Sequence, residues 1–443
     1  MNWNHILSTK RLGQEDRPAE AHEHKRTQFQ RDYDRLIFSS PFRRMQNKTQ
    51  VFPLPGSVFV HNRLTHSLEV ASVGRSLGNM LAEKLHVQTI GEPLIDEIGS
   101  VVSAACLAHD MGNPPFGHSG EDAISEFFKS GAGKSIQNDL SGAEWKDFTL
   151  FDGNANAFRI LSHQFKGRRP GGFALTYTML ASIVKYPFES VYADKPKFGF
   201  FQSEKENYYR IAEELGIERS ADDPNKFVRH PLVFLVEAAD DICYQIMDLE
   251  DAHKLKILNF DETRSLFMNF YDPGQDKKRI EGIERTLNMV DDRNEQIAYL
   301  RAGVIGMLVE KCVQVFEQKQ EEIFSGLFQK SLMGQVDGAS GSAMKKIQEL
   351  SVPKIYKDPS VVAVEISGYQ IIGTLLEEFT GAILSPGSGY SKRLLSLIPE
   401  QYHSDRPDMY SKIQSALDFV SGMTDLYALD IFRKIKGINL PSV

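Results

Sequence analysis

The sequence predicts an all-α fold, and three observations support this prediction. Apolar residues recur every three or four positions along most of the 443-residue chain, which is the spacing of one buried helix face. Alternating apolar and polar residues, the pattern of a half-buried strand, are nearly absent. The composition, with 41% hydrophobic and 25% charged residues, is that of an ordinary globular protein that can bury a sizeable core.

The predicted helices follow one another along most of the chain. The strongest pattern is His230–Leu249, in which the apolar residues from Leu232 to Ile246 share one face. The helix 95–108 ends before a Gly/Pro turn, which is a helix-stop signal. The stretch 334–343 is rich in Gly and Ser and is predicted to be flexible. Further helices are predicted at 64–85, 121–129, 155–164, 174–184, 280–290, 297–324, 359–384 and 408–436.

The net charge and the cysteines limit the class of protein. A formal net charge of −8 gives no general attraction to nucleic acid or to an anionic membrane. The three cysteines, Cys106, Cys243 and Cys312, are far apart in the chain, which predicts buried thiols in a reducing cytoplasm. No apolar run approaches the ~18 residues of a membrane span, and no signal peptide is visible. We therefore expect a cytoplasmic protein with no membrane partner.

Two histidines and two carboxylates on separate helices form a candidate metal site. His66 lies in RLTHSLEV, and His109 and Asp110 stand at the end of the next helix. Either Asp240 or Asp241, in EAADDICY, supplies a carboxylate from a later helix. Such a ligand set suits Mn²⁺, Fe²⁺, Zn²⁺ or Mg²⁺ and leaves positions open for water and phosphate. Each of these residues alone is more often structural, so the prediction rests on their combination.

The choice between Asp240 and Asp241 depends on the helix face. Tyr244 and Asp248 follow Asp240 at four and eight residues, so the three side chains share one polar stripe beside the core stripe. Asp241 points about 100° away from Asp240. The stripe favours Asp240, although a solvated face that carries a tyrosine has the same pattern.

His118 and Glu121 follow the loop GNPPFG and stand three residues apart. On the first turn of a helix they would face each other, and a carboxylate beside an imidazole orients it and raises its basicity. This arrangement suits general acid–base catalysis or a protonated phosphate ligand. Capping of the helix start by Ser119 and Glu121 explains the same residues, and the sequence leaves both interpretations open.

Several separate blocks of the sequence resemble one family. RLTHSLEV, LAHDMGNPPFGHSGEDA and EAADDICYQIMDLEDA are together similar to the HD-superfamily deoxynucleoside triphosphate triphosphohydrolases of the bacterial dGTPase type. FRRMQNKTQVFPL at 42–54 and DGNANAFRIL at 152–161 resemble further blocks of that family, and ISGYQIIGTLLE at 366–377 is a weaker match. The main blocks occur in the family's order over residues 35–255, which makes the resemblance specific.

The resemblance implies a reaction, a cofactor and a catalytic group. A dNTP, with dGTP preferred, would react with water at the α-phosphate to give a deoxynucleoside and intact triphosphate. His118, oriented by Glu121, would act at the α-phosphate. The cofactor would be a divalent metal ion, Mn²⁺ or Mg²⁺, with Fe²⁺ or Zn²⁺ as alternatives, and its ligands would be His66, His109, Asp110 and Asp240.

The resemblance also implies substrate contacts and an assembly. Gln50 and Val51 would lie against the base and sugar, whereas Tyr244 and Asp248 would contact the deoxyribose. The ring of Tyr244 would crowd out a 2′-hydroxyl and so reject ribonucleotides. The family commonly forms homohexamers, and single-stranded DNA is a candidate effector. Other substrate-binding positions carried over are Asn154, Lys185, Tyr186 and Lys197 and, from a looser match, Glu365 and Arg393.

The sequence is divided into three predicted parts. Residues 1–34 form an N-terminal arm, and residues 35–260 form the HD phosphohydrolase core. Residues 261–443 form a C-terminal helical region that packs on the core and contributes to oligomer contacts.

Two other functions stay open at this point. A different HD-type nucleotide phosphohydrolase would leave the blocks around Gln50 and around Tyr244 and Asp248 unexplained. A nucleotide-sensing or single-strand nucleic-acid-binding protein would have a vestigial site. The negative net charge argues against general nucleic-acid binding, and the complete set of four metal-ligand candidates argues against a vestigial site.

Overall fold

The fold is all-α, as predicted. The computed structural model describes residues 1–16, 26–52, 60–86 and 94–438, and helices dominate these ranges. The extended pairings within them are isolated bridges, for example between Arg11 and Thr176. Residues 17–25 of the predicted arm, and Pro53 and Leu54 of the block 42–54, lie outside the described residues.

The helices are numbered here in chain order, over the described ranges only. The first ten are α1 (Trp3–Ile6), α2 (Gln28–Ile37), α3 (Ser40–Arg44), α4 (Arg63–His86), α5 (Ile98–Ala108), α6 (His118–Lys129), α7 (Gly142–Thr149), α8 (Gly153–Ser162), α9 (Tyr177–Ser182) and α10 (Lys205–Glu214). The next ten are α11 (Val233–Lys254), α12 (Phe260–Met268), α13 (Lys277–Leu287), α14 (Arg293–Gln318), α15 (Gln320–Phe324), α16 (Gly338–Lys354), α17 (Pro359–Leu384), α18 (Gly389–Leu395), α19 (Met409–Ser421) and α20 (Asp425–Ile435).

The first hydrophobic core surrounds α4, α5 and α11. Leu77, Val102 and Ile242, one from each of these helices, are fully buried in it. Helices α12 to α16 pack around the same core, and Leu308 of α14 is among its buried residues. Because α5 is mostly apolar and ten of its 11 residues are buried, it forms the centre of this part of the molecule.

A close contact between two glycines sets the spacing of α4 and α5. A Cβ atom on Gly78 would lie 2.6 Å from the Cα of Gly99, so only glycine permits this approach of the two helices. The same pair of helices brings the ring of His66, near the start of α4, to 5.4 Å from the ring of His109, just after α5. The helices therefore run antiparallel and bring two distant histidines together.

The second hydrophobic core joins α6 and α7 to the C-terminal helices α17 to α20. Phe128 stacks on Phe148, and Phe379 packs edge-on against Phe419. By length and composition alone α17 could cross a membrane, and it is the one such helix in the described part of the chain. One face of it, which includes Leu375, is buried in the second core, and 33% of its most apolar stretch of 18 residues is buried.

The division between the two cores does not fall at the predicted boundary of 260/261. Helices α12 to α16 follow this boundary in sequence but belong to the first core, whereas α6 and α7 precede it and belong to the second. At the N-terminus, Trp3, Ile6 and Leu12 are buried in the first core. The three predicted parts stay a prediction about domains, and the packing follows another division.

The predicted flexibility of the Gly/Ser stretch 334–343 is wrong for its second half, because α16 begins at Gly338. Ser340 is buried, and its hydroxyl lies 3.1 Å from the sulfur of Met307. Ala343 is also buried in the first core. Small residues are used here for close helix packing, a role that composition alone does not distinguish from flexibility.

Candidate active site

A cavity of about 630 Å³ lies between the two cores, and most of the predicted site residues line it. A cleft of this size is typical of a small-molecule site. The start of α4, the residues that directly follow α5, and α11 form one wall, and the start of α6 and the first turns of α17 form the other. The predicted residues that line it are Gln50, Val51, His109, Asp110, His118, Glu121, Asn154, Lys185, Tyr186, Lys197, Asp240, Tyr244 and Glu365.

Three of the four predicted metal ligands form one compact group. One ligand atom from each of His66, His109 and Asp240 lies within 4.8 Å of the other two. The Nε2 atom of His66 is 3.1 Å from Asp240 Oδ1, and that of His109 is 3.5 Å from the same oxygen. His66 is buried, whereas His109 and Asp240 are partly exposed to the cavity.

The donor set fits a divalent cation. His109 Nδ1–H donates to the carbonyl of Cys106 at 2.6 Å, so Nε2 is the ring nitrogen that can release its proton and bind a cation. That Nε2 atom is buried and forms no hydrogen bond with any described residue. An orphaned imidazole nitrogen beside a second imidazole and a carboxylate is the arrangement of a His/His/Asp metal site.

The charged groups of this site shift one another's pKa values. Burial disfavours a charged His109, but Asp110 and Asp240 outweigh it and raise the pKa of this imidazole to about 9. Burial likewise disfavours a charged Asp240, but His109 and His66 hold the pKa of its carboxyl well below the usual range. The pocket therefore keeps a carboxylate at its centre and concentrates positive charge around it. A divalent cation would compete with protons for these same atoms.

Asp110 lies beside the group rather than within it. Its Oδ1 atom is 3.7 Å from His109 Nε2 and accepts from the amide of Asn113 at 2.6 Å. Its Oδ2 atom accepts from the guanidinium of Arg63 at 2.6 Å. Both oxygens are thus hydrogen-bonded, and the role of Asp110 as the fourth metal ligand stays a prediction.

The structure brings Asp240, and not Asp241, to the two histidines. Asp241 neither lines the cavity nor belongs to the compact group. Burial, Asp240 and Glu237 raise the pKa of the Asp241 carboxyl to about 7. The two neighbouring aspartates therefore differ in environment as the helix-face argument predicts.

His118 is the first residue of α6 and is exposed to the cavity. Burial of the ring, Arg63 and Lys197 lower the pKa of His118 below its ordinary value of 6.5, so the imidazole is mostly neutral at pH 7. No hydrogen bond joins His118 to Glu121 in the described part of the chain. Glu121 Oε1 instead accepts from the backbone N–H of Gly153 at 2.7 Å. The structure thus gives Glu121 a different partner from the predicted one.

Two lysines on the cavity wall are paired with carboxylates. Lys185 Nζ lies 2.9 Å from Glu237, and Lys197 Nζ lies 3.2 Å from Asp152. Asp152 also caps α8 and accepts from the side chain of Asn154 at 2.9 Å. Burial opposes the charge of Lys197, but Asp152 outweighs it and raises the pKa of this lysine. The lysines are therefore held as cations facing the cavity, as a polyanionic substrate requires.

The polar stripe of α11 continues from Asp240 to Tyr244 and Asp248, but only the first two line the cavity. Asp248 is buried behind Tyr244 and accepts from the hydroxyl of Tyr356 at 2.7 Å. Tyr356 stacks on Tyr244 with ring centres 5.8 Å apart, and it lines the cavity too. Burial, more than the neighbouring Asp251, raises the pKa of Asp248 to about 8.

The two residues carried over from the looser C-terminal match differ. Glu365 is exposed on α17 and lines the cavity. Arg393 is exposed on α18 and is not among the lining residues. A substrate contact by Arg393 stays a prediction that this arrangement does not favour.

Several lining residues were not predicted as site residues. Arg63 and Asn113 stand inside the quoted blocks RLTHSLEV and GNPPFG, so their proximity to His66 and Asp110 in sequence was an available signal. Tyr356 had none, because it lies 108 residues from its partner Asp248 in a stretch without a motif. The polar lining is completed by Thr49, Ser119, Ser182 and Glu237.

Comparisons with known proteins show which family the chain resembles. The HD domain family matches residues 63–169. Proteins described as deoxyguanosinetriphosphate triphosphohydrolase-like, from Synechocystis sp. and Pseudomonas aeruginosa, are each 37% identical, over 99% and 100% of this chain and 100% of their own lengths. A Yersinia pestis protein named deoxyguanosinetriphosphate triphosphohydrolase is 29% identical over 92% of this chain and 93% of its own length.

Proposed function

This chain belongs to the deoxyguanosinetriphosphate triphosphohydrolase-like family, and from this premise we propose that it hydrolyses dNTPs to a deoxynucleoside and inorganic triphosphate. One observation carries the proposal: the orphaned Nε2 of His109 and the neutral His118 line the same cavity. A metal-ligand set and a proton-transfer group thus lie around one space. That combination suits phosphoryl transfer to water.

The metal would be held by His66, His109 and Asp240, with Asp110 as the fourth ligand. A divalent ion bound there, Mn²⁺ or Mg²⁺ with Fe²⁺ or Zn²⁺ as alternatives, supplies a Lewis acid beside the α-phosphate. Cys106 fixes the tautomer of His109 through its carbonyl. Arg63 fixes the orientation of Asp110. These contacts would fix the orientation of the ligand side chains before an ion binds.

The reaction needs one proton to be removed from water and one to be given to the leaving 5′-oxygen. The oxygen of water bonds to the α-phosphorus while the bond from phosphorus to the 5′-oxygen breaks. His118 is neutral at pH 7, so an imidazole nitrogen can first accept the proton of water and later return it. Lys185 and Lys197 would neutralise charge on the phosphate chain.

The remaining lining residues would select the nucleoside. Gln50 and Val51 would contact the base and sugar, and the Oε1 atom of Gln50 has no hydrogen-bond partner among the described residues. Tyr244 would exclude a 2′-hydroxyl, with Tyr356 stacked behind it. The sugar and phosphate contacts would be completed by Asn154 and Tyr186 and, less directly, by Asp248 and Glu365. The preference for dGTP, the hexamer and the single-stranded DNA effector are parts of this proposal.

Product analysis tests the proposal. The purified protein is incubated with Mn²⁺ or Mg²⁺ and each of the four dNTPs or GTP in ¹⁸O-water, and products are resolved by anion exchange, ³¹P NMR and mass spectrometry. We expect deoxynucleoside and intact triphosphate, with the label in triphosphate because water attacks phosphorus. The highest kcat/KM is expected with dGTP, and GTP should be a poor substrate.

Other outcomes identify the alternatives. Diphosphate or monophosphate products would assign the site to another HD-type phosphohydrolase. An absence of turnover with every metal, repeated with each dNTP and single-stranded DNA as effectors, would favour a nucleotide-sensing or single-strand-binding protein. Sedimentation of the same samples measures whether the active species is a hexamer.

A further inference from the structure

One buried carboxylate joins two segments that both line the cavity. Asp425, in the first turn of α20, accepts from the backbone N–H of Thr49 at 2.8 Å through Oδ2. Its Oδ1 atom accepts from the backbone N–H of Phe116 at 3.0 Å. Thr49 directly precedes Gln50, and Phe116 stands two residues before His118. Asp425 is 6% exposed, so water does not replace these bonds without local opening.

A buried lysine makes a second connection in the same place. The amine of Lys48 donates to the carbonyl of Asn113 at 2.6 Å and to that of Ser421 at 3.1 Å. Lys48 and Asn113 belong to the two segments that Asp425 joins, and Ser421 ends α19. The C-terminal helices therefore hold both segments from behind, through residues more than 300 positions away in the chain.

The segment before His118 is held in an unusual backbone conformation. Phe116 has a φ of 62° and Gly117 a φ of 59°, a region that L side chains adopt at a cost of roughly 1–3 kcal/mol. The ring of Phe116 seats against Gly368 of α17, where a Cβ atom would lie 2.4 Å from Phe116 Cβ. Such a conformation persists only where its surroundings fix it. Asp425 and Gly368 supply two of those constraints.

We propose that Asp425 is a positioning residue that couples the nucleoside-binding segment at Thr49–Val51 to the His118 loop. Gly368 leaves the space in which the side chain of Phe116 packs, and so keeps the loop in its left-handed conformation. The proposal deepens the proposed function and rests on it for the roles of Gln50 and His118. It assigns no contact with substrate to Asp425, which acts through the two backbone amides.

The first test compares Asp425→Ala with Asp430→Ala, a matched carboxylate on the same helix whose partner is the surface residue Lys434. Because Asp425 holds both segments, we expect Asp425→Ala to raise KM for a dNTP and to lower kcat, each about tenfold or more, since misplacement by about 1 Å can cost a hundredfold. Asp430→Ala should stay within twofold of wild type. Both parameters of Asp425→Ala within twofold, or a change in only one of them, would overturn the coupling.

The second test separates the loop from the nucleoside segment. Gly368→Ala should displace Phe116, whereas Gly373→Ala on the same helix meets no atom within 4 Å, and both substitutions favour the helix. Because the three atoms nearest to an added Cβ on Gly368 all belong to Phe116, in the His118 loop, kcat should fall about tenfold while KM stays within twofold. A variant that is only destabilised would have a lower melting temperature, but its kcat would not fall selectively while KM is kept. Equal kinetics for the two alanine variants would overturn the role of Gly368.

Amide hydrogen exchange tests the coupling without relying on catalysis. In the full-length protein, Asp425→Ala should speed exchange at Thr49 and Phe116 about tenfold or more, whereas Asp430→Ala should not. Unchanged exchange at these two amides would overturn the proposal. If wild-type protein releases no triphosphate from any dNTP, the proposed function fails, and the exchange result still decides whether Asp425 holds both segments.

Discussion

The two walls of the cavity are built in different ways. On the first core, His66 and Asp240 stand on helices of 24 and 22 residues, and His109 directly follows α5. On the other wall, His118 follows two residues in the left-handed region, and buried bonds from α20 hold the loop before it. The wall that carries the candidate metal ligands, here called the metal-binding wall, thus depends on helices. The wall that carries His118, the proposed proton-transfer group, depends on distant contacts. Chelation and proton transfer should therefore be separable by mutation.

The largest effect is expected at the metal-binding wall. Asp240→Ala removes the carboxylate shared by both histidines, and we expect it to abolish both Mn²⁺ binding in calorimetry and dNTP turnover. Loss of metal assistance, several kcal/mol, corresponds to a rate loss of about a thousandfold or more. Asp241→Ala is the matched control and should keep metal binding. The reverse result would reject the helix-face argument.

Substitution of His118 on the other wall should have the opposite effect. It should impair turnover and leave metal binding intact. His118→Ala should bind Mn²⁺ as the wild type does, because His118 lies outside the compact group of ligands. Its kcat should fall about 10²- to 10⁴-fold, the contribution of a general acid–base group. Lys129→Met, at the exposed end of the same helix, should leave kcat nearly unchanged. A His118→Ala variant that retains most of its turnover would remove this residue from the chemistry.

The smallest effect concerns the stability of the contact between the walls. Burial, then Arg44, lowers the pKa of Lys48 from 10.5 to about 7. Between these values the unfolded chain binds a proton that the folded chain does not, so the free energy of unfolding should rise with pH above 7. The rise is at most about 1.4 kcal/mol per pH unit. Below pH 7 this group contributes no further pH dependence.

The measurement compares Lys48→Met with wild type in urea unfolding at pH 7, 8 and 9. The difference in unfolding free energy between wild type and Lys48→Met should grow with pH. Lys412→Met, an exposed position on α19, is the control and should show no such trend. A constant difference across this range would mean that Lys48 is an ordinary cation in the folded state.

Much of the metal-binding wall could be predicted from the sequence, because its information is local. The spacing of Asp240, Tyr244 and Asp248 gives one helix face, and the structure places Asp240 with both histidines. The predicted contact between Glu121 and His118 is not a hydrogen bond in the described part of the chain. Three-residue spacing permits that contact, but the N–H of Gly153 competes for the carboxylate, and Gly153 is 32 residues away.

Long-range partners also account for the residues that the sequence did not reveal. Tyr356 reaches Asp248 across 108 residues, and Asp425 reaches Thr49 across 376, so no window of sequence contains either pair. The division into two cores is likewise absent from the sequence pattern, because helical periodicity indicates which face is buried and not which partner covers it. Arg393 shows the same limit, because it was assigned from a looser sequence match and does not line the cavity.

The sequence by itself determined the helical class, the ligand types and the helix face that carries Asp240, since these depend on residue identity and on the 3.6-residue repeat. The tertiary structure alone decided that α4 and α5 approach through glycines and that the cavity opens between two cores. It also decided that the His118 loop is fixed by the C-terminal helices. These features arise from packing between separate segments, which lie 21 residues apart for Gly78 and Gly99 and 309 residues apart for Phe116 and Asp425. The energy of such a contact depends on the shape and burial of both partners.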